Sequence, residues 1–155
     1  TQSRVRPTSP CGQAPGARRE GKDGGVVLPR GAGGFRAQTG DPQGTGSGGM
    51  GELLNAEFSK EPHVRGGVSM ARTSDPNSAR SQFFIVFKEP SFLDGQHTVW
   101  GKVTPGMEFV DKIKRGVGQG GTVPTPADKM IKVQVAADAK SSRHKLAPSG
   151  PPRRP

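Results

Sequence analysis

The sequence predicts a mainly β fold, a small barrel or sandwich of short strands, and three observations lead there. Large apolar residues are scarce, and they are gathered in the middle of the chain. All seven Phe and the single Trp of the 155 residues lie between Phe35 and Phe109. That middle breaks into short apolar runs separated by dense turn chemistry. One stretch alone combines helical spacing with helix start and stop signals, so strands must supply most of the core.

The elements follow in order. "GVSMA" (67–71) is an apolar run behind a Gly pair. "TSDPNSA" (73–79) reads as a turn, because Asp, Asn and Ser close turns on their own backbone and Pro fixes φ. "QFFIVF" (82–87) is the strongest strand by composition, with three of the seven Phe beside two β-branched residues. "KEPSFLDGQ" (88–96) is a loop, and "HTVWGKV" (97–103) a second strand. In "TPGMEFVDKIKRG" (104–116) Thr104 can cap a helix and Pro105 can take its first turn. Met107, Val110 and Ile113, with Phe109, form its apolar stripe. Lys112, Lys114 and Arg115 suit its C-terminal dipole, and Gly116 suits a left-handed stop. "MIKVQVAA" (130–137) alternates apolar and polar residues and predicts a strand with one face to solvent.

The charge divides differently. The total is +10, but residues 1–36 carry +5, residues 37–140 carry +1 and residues 141–155 carry +4. The apolar middle is nearly neutral, so no basic binding face is expected on it and no nucleic-acid partner follows. A binder working through its basic tail would lose salt-sensitive affinity when 141–155 are removed. Residues 1–27 hold few large aliphatics and are rich in Gly, Pro and Arg, a composition that predicts poor order. A domain is expected over 28–140, and 141–155 read as a disordered basic tail. No run of eighteen apolar residues or signal-like stretch occurs, so no membrane partner and a cytoplasmic location are expected. Cys11 is the only cysteine, and His63, His97 and His144 have no ligand spacing, so neither metal nor cofactor is expected.

Two further features have plain readings. "GTGSGG" matches G-x-G-x-x-G at Gly44, Gly46 and Gly49, but no strand–helix unit surrounds it, and a mobile Gly-rich surface loop is the simpler reading. His97 opens a strand, where a lone His serves as a structural hydrogen-bonder more often than as a catalyst. No Ser, His and Asp arrangement stands out.

The linear order of segments carries more. "FRAQTGDPQGTGSGG", "RGGVSMARTSDPNSARSQFFIVF" and "FLDGQHTVWGKVTPGMEFVDKI" together resemble the cyclophilin family of peptidyl-prolyl cis–trans isomerases, in its short bacterial form. "DPNSARSQFF" and "LDGQHTVWGKV" are the most specific parts, and the likeness runs from Leu28 to Lys140. It implies a closed eight-stranded antiparallel barrel with two covering helices and a substrate groove on its outside. The implied activity is rotation about X–Pro bonds in folding chains, with no cofactor and no metal, by a monomer that binds proline-containing peptides and unfolded proteins.

The resemblance also implies the site. The family segment around its catalytic arginine aligns without a gap on "LPRGAGGFRAQTGD" and puts Arg30 at the catalytic position. Phe35 matches a wall of the proline pocket, and Gln38 a residue that bonds the substrate backbone. Ala71 and Arg72 match positions that take the residue before proline. Gln82, Phe84, Leu93 and His97 match further groove and pocket residues. Phe92 stands where many eukaryotic members carry Trp, which implies weak cyclosporin binding at most. On "QFFIVF", Gln82 and Phe84 should share the groove face while Phe83 and Ile85 turn inward.

Departures from the family lie before Ala37. Pro29 replaces the usual His and removes a backbone donor. Gly31, Ala32 and Gly33 replace bulkier residues. Arg36 replaces a pocket Met and sets a charge where the proline ring expects an apolar wall. Residues 1–27 are too few for the two strands and helix that the family places there. A barrel lacking those elements is expected, with an N-terminal region that is incomplete or out of frame. Residues 1–36 and 141–155 would then lie partly outside genuine coding sequence. The alternative is a catalytically impaired module that still binds proline-containing peptides.

Overall fold

A computed structural model describes residues 5–7, 28, 34–117 and 121–133. Among the described residues five strands form one antiparallel sheet: β1 (Val5–Pro7), β2 (Arg36–Thr39), β3 (Gly67–Met70), β4 (Phe83–Val86) and β5 (Val99–Val103). Their order across the sheet is β1-β5-β3-β4-β2. The strand richest in aromatic and β-branched residues, β4, sits inside it between β3 and β2, where both faces can be covered. β1 is an edge, and Pro7, which has no N–H to donate, is tolerated there opposite Gly101. Of residues 1–27, expected to be poorly ordered and too few for two strands and a helix, Val5–Pro7 forms this one short strand, whose three residues take the backbone groups at the edge of β5. The remaining residues of 1–27, the Pro29–Gly33 departures and the tail 141–155 lie outside the described residues.

Register sorts the side chains into two sets. Val68 and Met70 of β3 pair with Ile85 and Phe83 of β4. This face gathers Phe83, Trp100, Val103 and Ala79 into the main apolar cluster, with Phe83 and Trp100 edge to face at 6.1 Å between ring centroids. A bulge opposite Val68 and Ser69 lets Trp100 reach that cluster. On the other face Gln38 of β2, Phe84 of β4 and Ser69 of β3 lie in one row, with Arg36 and Val86 paired beside it. The expected alternation along "QFFIVF" thus holds, and the second face is where Ala71, Phe84, Val86 and Leu93 form their own buried cluster.

Two elements differ from expectation. The helix is a single turn, α1 (Met107–Val110), and its N-cap is Gly106 at φ +99°, not Thr104. Left-handed backbone at Gly106 cannot continue a right-handed helix begun at Thr104, so Thr104 and Pro105 stay outside it. Beyond Val110 the coil tightens: the N–H groups of Lys112 and Ile113 donate to carbonyls three residues back. The N–H of Lys114 then turns to the Asp128 carboxylate at 2.7 Å, ending the coil before Gly116. Arg65 holds α1 to the sheet, donating to the Phe87 carbonyl and to the Asp111 carboxylate.

Residues 130–133 of the expected last strand are not in a strand, and Ile131 is 93% exposed. Residues 134–137 lie outside the described residues. Alternation lets a segment line a sheet, but a strand also needs a partner edge. Just ahead of it, Asp128 takes the Leu28 N–H on its carbonyl and the Lys114 N–H on its carboxylate.

Gly40, just past β2, has φ +93°, and a Cβ there would run into the backbone carbonyl of Ser81. The Ser81 hydroxyl also donates to the Gly40 carbonyl at 2.6 Å. Gly40→Ala is expected to lower stability by about 2 kcal/mol through strain and collision together. A drop in the urea midpoint checks this; an unchanged midpoint would show that the two chains simply shift apart.

Candidate functional site

The second sheet face opens into a groove of about 560 Å³. Of the residues expected to act, Gln38, Ala71, Arg72, Gln82 and His97 line it. Phe84 lies beneath, fully buried, stacked on His63 at 6.0 Å and edge-on to His97 at 5.6 Å. Leu93 is buried in the same cluster, and Phe35 packs against it from the side. Phe35 meets Phe92 edge to face at 5.5 Å, with Phe92 62% exposed at the rim. Nine of the ten expected site residues therefore converge on one face. The tenth, Arg30, lies outside the described residues.

The amides at the groove are oriented by a chain of bonds. Gln38 Nε2 donates to Gln82 Oε1 at 2.7 Å, and Gln82 Nε2 donates to the carbonyls of Gly48 (2.5 Å) and Gly46 (3.3 Å). Those carbonyls belong to the "GTGSGG" loop, which is built around Asp41. Asp41 is 0% exposed, yet no cation pairs with it among the described residues. Its oxygens accept the backbone N–H groups of Gln43, Gly46 and Gly48 at 2.9, 2.7 and 3.2 Å and the Thr45 hydroxyl at 3.0 Å. Burial alone would push its carboxyl up, but these donors together hold it below the ordinary value. The segment expected to be a mobile Gly-rich surface loop is wrapped on an anion, with the backbone N–H groups of Gln43, Gly46 and Gly48 converging as they do in a nest. The signal was present: Asp41 closes the "AQTGD" segment directly ahead of the glycine run.

A second arrangement escaped the sequence. His63 Nδ1 lies 2.8 Å from Asp94 Oδ1, and its Nε2 lies 3.1 Å from Ser69 Oγ. The His63 backbone N–H also donates to Asp94 Oδ1. That N–H and the imidazole hold the Asp94 carboxyl below its usual range. This resembles a nucleophile triad, but Ser69 is fully buried and its hydroxyl also lies in donating range of the Thr98 carbonyl, at 3.0 Å. No substrate reaches it. Its effect is to pin the turn Ser91–Leu93, and so Leu93, against Phe84. Three residues from three separate segments leave no spacing for a sequence to show.

His97 Nδ1 donates to the Met70 carbonyl, 3.1 Å away. Burial, aided by the charges of Arg72 and Arg36, holds its ring below the usual imidazole value against the pull of that carbonyl. A neutral ring beside Phe84 leaves the groove wall apolar. Arg36 does not turn out to solvent; its guanidinium lies 5.1 Å from the centroid of Phe84 and 5.3 Å from that of Phe35.

A family model described as cyclophilin type peptidyl-prolyl cis-trans isomerase matches residues 19–135. A probable peptidyl-prolyl cis-trans isomerase of Brucella abortus (strain 2308) is 50% identical over 136 residues, which cover 79% of this chain and 68% of the relative. A peptidyl-prolyl cis-trans isomerase of Helicobacter pylori is 43% identical over 102 residues, covering 63% of this chain and 62% of the relative. Among solved structures, a Cryptosporidium parvum cyclophilin crystallised in the presence of the dipeptide Ala-Pro superposes with a TM-score of 0.75. It is 24% identical and covers 86% of this chain and 91% of its own, a likeness of fold.

Proposed function

The chain belongs to the cyclophilin-type peptidyl-prolyl cis–trans isomerases, and on that footing we propose that Arg30 is its catalytic cation and the groove over Phe84 its X–Pro site. The reaction is rotation about an amide whose barrier is about 18–20 kcal/mol, because the nitrogen lone pair is delocalised into the carbonyl. In the twisted state the lone pair returns to nitrogen. A guanidinium beside that nitrogen favours this state over the planar one, and a dry pocket strengthens the effect.

The observation that carries the proposal is the convergence of Phe35, Leu93 and His97 around Phe84, with the Gln38–Gln82 amide pair alongside. The rings and Leu93 hold the proline, with Phe92 at the rim. Gln38, its Nε2 committed to Gln82, keeps its amide oxygen for a substrate N–H. Ala71 and Arg72 take the residue before proline. Arg72 is fixed for this by donating to the carbonyls of Gln96 and Thr73 at 2.9 and 2.8 Å. The described sheet is open, and we read it as part of a closed eight-stranded barrel. We further place the enzyme in the cytoplasm, as a monomer acting on proline-containing segments of unfolded chains.

The test is isomerisation of an Ala-Pro-Phe peptide at low temperature, with Arg30→Ala beside the wild type. The wild type accelerates the slow phase. Arg30→Ala loses at least about tenfold in kcat/KM, the equivalent of about 1.4 kcal/mol of transition-state stabilisation, while peptide affinity persists. Full turnover in Arg30→Ala would remove Arg30 from the mechanism.

A further inference from the structure

The groove is longer than an X–Pro pair needs. Beyond Gln82 the cavity continues between Leu53, Thr73, Ser78 and Arg80. The sheet fixes the direction of that extension. The Ala71 N–H donates to the Gln82 carbonyl, so Ala71 stands beside Gln82, two residues before Phe84 in the chain, and Arg80 lies two residues before Gln82. A segment with its proline over Phe84 and its preceding residue at Ala71 and Arg72 therefore runs on toward Arg80. Two residues of extended chain advance about 7 Å, and a long side chain at that point meets the Arg80 side chain coming the other way.

The chemistry at that end is cationic. A Cβ at Gly49 would lie 3.3 Å from Arg80 Cδ, so the Arg80 stem lies along the glycine loop while the residue stays exposed. Its guanidinium makes no hydrogen bond or ion pair among the described residues. The neighbouring groups are already engaged. The Thr73 hydroxyl donates to Ser78 Oγ at 2.7 Å, and the Ser78 hydroxyl to the Asp75 carbonyl at 2.6 Å. Arg72 adds a second positive charge, with its Nε and Nη1 committed to carbonyls. No Asp or Glu among the described residues lines the cavity, and the Asp75 carboxylate accepts the Asn77 N–H. A free guanidinium beside exposed Leu53 suits a side chain that has methylenes and a terminal carboxylate.

We propose that this end of the groove takes an acidic side chain two residues before the proline, glutamate best, and that Arg80 is the residue that determines this preference. The carboxylate supplies the counter-charge that the chain itself does not give Arg80, and Leu53 covers the methylenes. The proposal rests on the reading of the groove as an X–Pro site, and the test separates the two.

Three peptides, acetyl-Glu-Ala-Pro-Phe-amide, its Gln analogue and its Lys analogue, are compared for binding by calorimetry and for catalysed exchange by NMR. The wild type should prefer Glu to Gln about three- to fivefold, the range of an exposed ion pair, and the preference should shrink at high salt. Arg80→Gln should bring the Glu-to-Gln ratio close to one, and Arg80→Glu should turn the preference toward the Lys peptide. Acetyl-Gln-Ala-Pro-Phe-Glu-amide, with its acid on the other side of the proline, should gain nothing over the Gln peptide. Turnover without a Glu preference, a preference that survives Arg80→Gln, or an equal gain from the acid beyond the proline overturns this inference and leaves the isomerase site standing. An Arg80-dependent preference in binding without catalysis of any peptide does the reverse. Binding of no peptide overturns both.

Discussion

Phe84→Ala is expected to destabilise the fold by about 3–5 kcal/mol and to remove measurable isomerase activity. Phe84 is 0% exposed and is the largest fully buried side chain among the described residues. It touches both layers of the site. Ala71, Val86 and Leu93 pack around it, His63 stacks on one side and His97 stands edge-on. The backbone of β4 is held on both sides by β2 and β3, so the sheet cannot collapse into the space that the ring leaves. The residual cavity therefore adds to the lost transfer energy. Phe84→Leu separates the two roles. It refills most of the volume and should cost about 1 kcal/mol or somewhat more, but it gives the proline a smaller floor. Urea denaturation and peptide exchange, measured on both variants, check the split. A Phe84→Leu enzyme with unchanged kcat/KM would show that the ring supports the fold and not the substrate.

How much of this was legible in the sequence depended on where each interaction lay along the chain. The inner strands were readable because composition and alternation are properties of neighbours: "GVSM", "FFIV" and "VWGKV" stand within a residue or two of where they were expected. The site residues Gln38, Ala71, Arg72, Gln82 and His97 were readable through the order of family segments, and register brought them to one groove. The helix was overestimated because its start depended on one dihedral, φ at Gly106, which residue type permits without requiring. The strand over 130–137 was overestimated because alternation says nothing about an available partner edge. His63, Asp94 and Ser69 were missed because they meet across 31 and 6 residues of chain. Arg36 was noticed as a misplaced charge, but its settling on two aromatic faces follows from tertiary register alone.

Asp41→Ala is expected to cost about 3 kcal/mol and to lower kcat/KM about tenfold. Removing the carboxylate leaves the N–H groups of Gln43, Gly46 and Gly48 without their common acceptor, and each half-buried donor left unmet carries a penalty. The catalytic loss travels one step further. The carbonyls of Gly46 and Gly48 orient the Gln82 amide, whose oxygen in turn fixes Gln38. A loosened loop therefore blurs two substrate-facing amides that never touch Asp41, and such misplacement is costly in rate. Asp41→Asn isolates the charge. Its size is nearly unchanged, but an amide NH2 would face converging backbone donors. The wild-type carboxyl titrates below its ordinary value, so the stability it contributes is complete above roughly pH 4 and fades as pH falls further. Asp94 and Asp111 are held low too and share that acid slope. Asp41→Asn should therefore be less stable than wild type at neutral pH, with the gap narrowing as pH falls from about 4 to 2. Urea midpoints across that range measure it. A gap constant with pH would mean that the Asp41 carboxylate makes no charge-dependent contribution, and that the glycine run folds on itself without an anion.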